Sequence, residues 1–261
     1  MTRNSLPRGR GRPATHSVDR IRTRLWFAAV KEVSGLPSAY AIEMLLDGEH
    51  VRKRSTDVAR PRKWDGYKKG KKVPSDIAGP RNSIDQAEHR FPGTAAWYRS
   101  PIWDILKGEF LDANEIENAL RGLGTAVTSL IFEAEDSNQR SMLTQRPFDA
   151  ATADLLIQLG SFDALVAAVL LVALSEVIAS AELRRLALHV YVGLQATIRN
   201  TPLFKDIYPD LLTHIDLRCK HWTYLSPNQR METVIFWRGV AGDFEREVPE
   251  YENPLPHQVN R

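Results

Sequence analysis

"SVDRIRTRLWFAAVKEVSG", residues 17–35, decides how the rest of the chain is read. Ile21, Leu25, Ala28, Ala29 and Val33 recur at three- and four-residue spacing and so share one face of a helix. Ser17 is the expected cap at its start, and Gly35 the expected stop. "LPSAYAIEMLLDG" then reads as a second, shorter helix, with Ser38 as its cap and Gly48 just beyond its end.

Working toward the carboxy terminus, helical periodicity persists and no run of strands interrupts it. Residues 47–59, "DGEHVRKRSTDVA", are polar and unpatterned and are expected to loop out. In "RPRKWDGYKKGKKVPS", residues 60–75, Trp64 and Tyr67 lie three apart on one helical face, and Gly70 and Pro74 stop the helix. Residues 79–93 carry Gly79, Pro80, Pro92 and Gly93, the composition of a linker. Helices are expected at about 112–134, 149–159, 161–180, 181–200 and 203–222, with a last one over 227–241. The apolar helix 161–180 belongs at the centre of a bundle. On 181–200, the face of Leu183, Leu186, Ala187, Val190 and Leu194 completes that bundle or forms a dimer interface.

The expected fold class is therefore all-α: a small N-terminal helix-turn-helix module followed by a larger helical bundle domain. Its parts are an arm at 1–16, the module at 17–78, the linker at 79–93, the helical domain at 94–248 and an irregular tail at 249–261.

Charge is distributed unevenly over these parts. Residues 1–75 hold 18 Lys and Arg against 7 Asp and Glu, a net +11, whereas the other 186 hold 17 against 25, a net −8. A basic front joined to an acidic body confines any polyanion contact to the front. The single cysteine, Cys219, excludes a disulfide framework and fits a reducing cytoplasm. No signal peptide is visible, and "ALVAAVLLVAL", residues 164–174, is too short to span a bilayer, so no membrane role is expected.

Residues 22–75 resemble the lambda-repressor/Cro-like helix-turn-helix family. "VSGLPSAYAIEMLL" is similar to that family's turn into helix two, and "YKKGKKVPS" to its aromatic-x-x-Gly-x-x-x-Pro-Ser ending. The resemblance covers about a fifth of the chain. It implies a recognition helix in the major groove of double-stranded DNA, with Arg60, Arg62 and Lys63 at base edges. Lys68, Lys69, Lys71 and Lys72 would contact phosphates. The chain departs from the family in placing Asp47 to Ala59 between helix two and the recognition helix, which leaves "VRKR", 51–54, as a separate basic loop.

"RGRGRPATH", residues 8–16, resembles the AT-hook of high-mobility-group A type proteins in its core of Arg10, Gly11, Arg12 and Pro13. A glycine between two arginines lets the backbone lie on the floor of a narrow A·T-rich minor groove, where guanidinium groups meet an enhanced negative potential.

Other constellations are weaker. His214, Asp216, Cys219 and His221 point in different directions on a helix and make a poor metal site. Glu133, Glu135 and Asp136 read as an exposed helix end. Trp97, Tyr98 and Trp103 suit core packing or a partner interface better than base stacking. No phosphate-binding glycine loop and no nucleophile-plus-base pair is present, so neither an enzyme nor a cofactor is expected. The preferred expectation is a DNA-binding transcriptional regulator whose helical domain supplies homodimer, ligand or protein-partner contacts. The alternative is a nucleic-acid-binding subunit of a larger nucleoprotein or defence-type complex that holds RNA.

Overall fold

The computed structural model describes residues 15–51, 62–77, 79, 82–108, 112–134, 143–219, 222–226, 229–233 and 250–251. Within them the chain is predominantly helical, and the all-α class holds.

The amino-terminal part comprises α1 (Ser17–Ser34), α2 (Ala39–Asp47), a 3-10 turn at Gly48–Val51, α3 (Lys63–Lys68), α4 (Ser83–Arg90) and α5 (Thr94–Arg99). Gly35 ends α1 in the left-handed region at φ 65°, and Ser38 caps α2 by accepting from the Ala41 N–H at 3.1 Å. One cap differs from expectation: Ser17 is already helical, and the extended His16 caps α1, its Nδ1 accepting from the Val18 N–H at 3.2 Å. The segment read as a linker, 79–93, contains α4. Asn82 caps it through the Ile84 and Asp85 N–H groups, and its Ile84 and Ala87 are fully buried. The Gly and Pro residues there bound a helix rather than replace one.

The carboxy-terminal part continues with α6 (Ile102–Lys107), α7 (Ala113–Arg121), α8 (Thr125–Ile131), α9 (Ala150–Leu159), α10 (Phe162–Val177), α11 (Ala181–Asn200), a 3-10 turn at Pro202–Phe204 and α12 (Tyr208–Cys219). α10 is buried at every position from Ala164 to Ser175 and packs on α6, α7 and α11. The inward face of α11, from Leu183 to Leu194, is buried within the same chain.

Three expected helices are cut differently. The stretch 112–134 breaks into α7 and α8 around Gly122 and Gly124, and the Gly124 N–H donates to Asp163 Oδ2 at 2.9 Å. α12 begins only at Tyr208, because Pro209, which lacks an N–H, is tolerated in the first turn of a helix but not deep inside one. Over 227–241 the described residues form no helix. Strand β4 (Gln229–Thr233) lies between β3 (Trp222–Ser226) and β5 (Glu250–Tyr251) in an antiparallel sheet, and a second hairpin pairs β1 (Phe132–Ala134) with β2 (Leu143–Gln145). "WTYLS" is aromatic and β-branched and is followed by Pro-Asn, which is strand-and-turn chemistry.

Two hydrophobic clusters form, and α1 belongs to both. Val18, Ile21 and Leu25 enter the large cluster around α10, while Trp26, Phe27 and Val30 enter a smaller one with α2 to α5.

Candidate nucleic-acid interface

α3 is six residues long and cannot hold itself together in isolation, so its position comes from packing. Its two aromatics provide that packing. Trp64 is fully buried, with its ring centroid 5.3 Å from that of Trp26 on α1. Tyr67 meets Trp26 edge-on at 5.6 Å and Trp64 at 5.5 Å. Both polar ends are satisfied: Trp64 Nε1 donates to Asp47 Oδ2 at 2.9 Å, and the Tyr67 hydroxyl lies 3.3 Å from Ser83 Oγ. Burial holds the Tyr67 phenol above its usual range and pushes that of Tyr98 up to about 12, so both stay neutral. Glu43, almost wholly buried on α2, accepts the Lys63 N–H at 2.7 Å and so caps α3 from a neighbouring helix.

The turn after α3 is fixed as firmly. Gly70 sits at φ 62° against α1, where an added Cβ would lie 3.0 Å from the Arg20 carbonyl oxygen and 3.2 Å from Arg24 Cδ. The Lys71 and Lys72 N–H groups donate to the Gly66 carbonyl at 2.9 and 3.2 Å. The Lys72 stem lies over Gly66 and would have to shift to admit a side chain there.

This scaffold presents Lys68, Lys69, Lys71 and Lys72 to solvent, and none of them has a carboxylate within ion-pair distance among the described residues. Arg62, at the mouth of α3, is also exposed. Lys63 is placed otherwise: its amine is 2.6 Å from Asp47 Oδ1, inside the module, so it holds α3 to α2 instead of facing outward. Arg10, Gly11, Arg12 and Arg60 lie outside the described residues, as do positions 52–54 of the basic loop.

The structure adds basic residues that motif reading passed over. Arg20 is exposed beside Gly70, and Arg24 lies one turn further along α1, reaching Asp210 Oδ2 at 2.7 Å and the Asp206 carbonyl. Their signal was the four-residue spacing in "RIRTR", which puts both arginines on one helix face. Arg22, between them, is engaged elsewhere: it donates to the Tyr98 carbonyl at 2.6 Å and stacks 3.8 Å above the Tyr98 ring.

At about 1.5 Å of rise per residue, α3 spans roughly 9 Å. Arg62 stands at its amino-terminal end and the lysines at its carboxy-terminal end.

Among the described residues no group of three His, Cys, Asp or Glu side chains could hold a metal ion. His214 is partly buried, and its desolvation and the nearby His16 favour the neutral ring. Asp216 accepts from the Tyr191 hydroxyl at 2.7 Å, and burial pushes the Cys219 thiol up to about 12. Trp97 stacks on Phe162 at 4.9 Å, while Tyr98 and Trp103 are buried, so these aromatics pack the cores. No described helix is long and apolar enough to cross a membrane. Comparison with protein families, with curated proteins and with solved structures finds no match for this chain.

Proposed function

We propose that this chain binds double-stranded DNA and acts as a transcriptional regulator without catalysis. The observation that carries the proposal is the set of four exposed lysines around Gly70, without ion-pair partners among the described residues, on a turn that Trp64, Tyr67 and α1 hold rigid. Preorganised ammonium groups gain most where they meet a regular array of phosphates, because little side-chain and backbone ordering is left to complete on binding. Arg62 supplies sequence preference in the major groove, and Arg10, Gly11 and Arg12 add an A·T preference from the minor groove. The likeness to lambda-repressor/Cro-like proteins belongs to this proposal and supports the same orientation of α3.

Fluorescence anisotropy with labelled duplexes tests it. Reversing Lys68, Lys69, Lys71 and Lys72 to Glu is expected to weaken binding to every duplex. The dependence of log affinity on log salt should flatten by about 0.9 for each phosphate that is no longer neutralised. Arg62→Ala should instead change which sequences are selected, and removing residues 1–16 should abolish an A·T-rich flank in the selected set. Unchanged duplex affinity after charge reversal removes the proposed surface.

The brevity of α3 favours a second reading, in which a backbone-directed surface holds structured RNA within a larger nucleoprotein or defence-type complex. Competition among duplex DNA, single strands and folded RNA at matched salt separates the two.

A further inference from the structure

Beside the lysine turn, a groove of about 820 Å³ opens between α1, α3 and the segment 202–207. Its size falls in the range of small-molecule sites, about 300–1,000 Å³. Arg24, which also lines it, bridges α1 to Asp210 on α12 and to the Asp206 carbonyl.

The lining is divided by chemistry. Lys68 and Lys69 come from α3 and the turn after it, and Lys31 from α1, so three ammonium groups border one space. Phe27, Ala28 and Leu203 provide an apolar surface within the same groove. Two acidic residues, Glu32 and Asp206, also line it. A bare inorganic anion would use the lysines and gain nothing from the apolar surface, while the carboxylates would repel it. An apolar ligand would leave the lysines unused. A ligand with a phosphorylated end, a flat apolar body and hydroxyl or amino donors for the carboxylates would use all three.

We propose that this groove binds a nucleoside diphosphate, with its phosphates on Lys31, Lys68 and Lys69 and its base against Phe27, Ala28 and Leu203. Hydroxyl groups of the sugar or an exocyclic amine donate to Glu32 and Asp206. The site stands without the duplex-binding proposal. Only one corollary rests on that reading, namely that the nucleotide competes with DNA for Lys68 and Lys69.

Isothermal titration calorimetry on the full chain tests the site with ADP, and with adenosine and pyrophosphate as component probes. ADP is expected to bind saturably, and each component at least about tenfold more weakly, equal to about 1.4 kcal/mol. Lys31 is exposed on α1 and is not itself one of the proposed duplex contacts, although it lines the same groove as Lys68 and Lys69, and Lys31→Glu should weaken ADP by about tenfold or more with unchanged circular dichroism. No saturable heat with ADP, equal affinity for pyrophosphate and ADP, or ADP affinity unaffected by Lys31→Glu would each overturn the site. Anisotropy with a labelled duplex, run with and without ADP, keeps the two proposals apart. ADP binding by a chain that ignores duplex leaves the groove and removes the DNA reading. Duplex binding without ADP binding does the reverse.

Discussion

Gly70 is the residue on which the candidate interface turns. Its left-handed backbone lets the chain reverse directly after Tyr67, and its missing side chain lets the turn lie on the Arg20 carbonyl. Gly70→Ala brings a strained left-handed conformation and a tight contact on the Arg20 carbonyl, so a loss of about 1–3 kcal/mol is expected. Urea unfolding monitored by tryptophan fluorescence reads that loss, and under the proposed DNA-binding role duplex affinity should fall with it because the four lysines lose their common frame. Elsewhere, Arg184 has a fully buried side chain that bonds Glu176 at 2.8 Å and the Cys219 carbonyl at 3.0 Å. Glu176 is partly exposed and keeps Arg218 at 2.9 Å, so Arg184→Ala should cost about 1.5–3 kcal/mol, the worth of hydrogen bonds to a charged group. Its neighbour Arg185, bridged to Glu182 in solvent, should be worth less than about 1 kcal/mol. The same urea titration on both variants measures the contrast. The Cys219 thiol beneath them is buried and held protonated, so it should resist alkylation at pH 8 until denaturant exposes it.

At the level of elements, a charged tie replaces hydrophobic packing where the chain leaves the lysine turn. Arg99 on α5 donates to Asp76 and Asp85, each with a contact of 2.6 Å, and thereby links the segment after Pro74 to α4 and α5. The Arg99 hydrogen bonds are the main cause that holds the Asp76 carboxyl below its ordinary range, aided by Asn82. A depressed carboxylate favours the folded state above the ordinary carboxylate range, and that contribution disappears as pH falls through the lowered pKa. Carbon-detected NMR titration should therefore find Asp76 titrating below a model aspartate, and Arg99→Gln should return it toward the ordinary value. Such ties explain where reading the sequence stops. α1, α2 and α10 were legible in outline, because the Gly35 stop, the Ser38 cap and the continuous apolar run of α10 hold, whereas His16 rather than Ser17 caps α1 and Val33 of its expected face is exposed. α4 was not, since its eight residues carry only Ile84 and Ala87 as buried apolar side chains between Gly and Pro flanks. Adjacent Arg184 and Arg185 look alike in the sequence, and only the tertiary placement against Glu176 and the Cys219 carbonyl distinguishes the buried one. At the interface, Trp64, Tyr67 and Gly70 were readable as a unit, whereas the capture of Lys63 by Asp47 depends on how α2 and α3 meet.

At the level of the molecule, α1 joins the basic front to the acidic body, and that arrangement makes a prediction of its own. Val18, Ile21 and Leu25 fill the large cluster while Trp26, Phe27 and Val30 fill the small one, so a single helix supplies both cores. Lys107 to Asp19 at 2.9 Å and Arg24 to Asp210 at 2.7 Å add polar ties across the same junction. A chain starting at residue 94 would lose all of these. Three buried aliphatic side chains at about 1.5–3 kcal/mol each amount to about 5–9 kcal/mol. That is comparable with the about 5–15 kcal/mol by which a whole domain is stable. Residues 94–261 alone should therefore show helical far-ultraviolet circular dichroism without a cooperative thermal transition, and should bind a hydrophobic dye. The chain from residue 17 should melt in one transition, with Ile21→Ala and Trp26→Ala lowering the same midpoint although they sit in different clusters. A sharp, independent transition in 94–261 would instead mean that α1 leans on a body already complete. In that case the contacts of α1 with α6, α12 and the 202–204 turn would add to a core already stable without them.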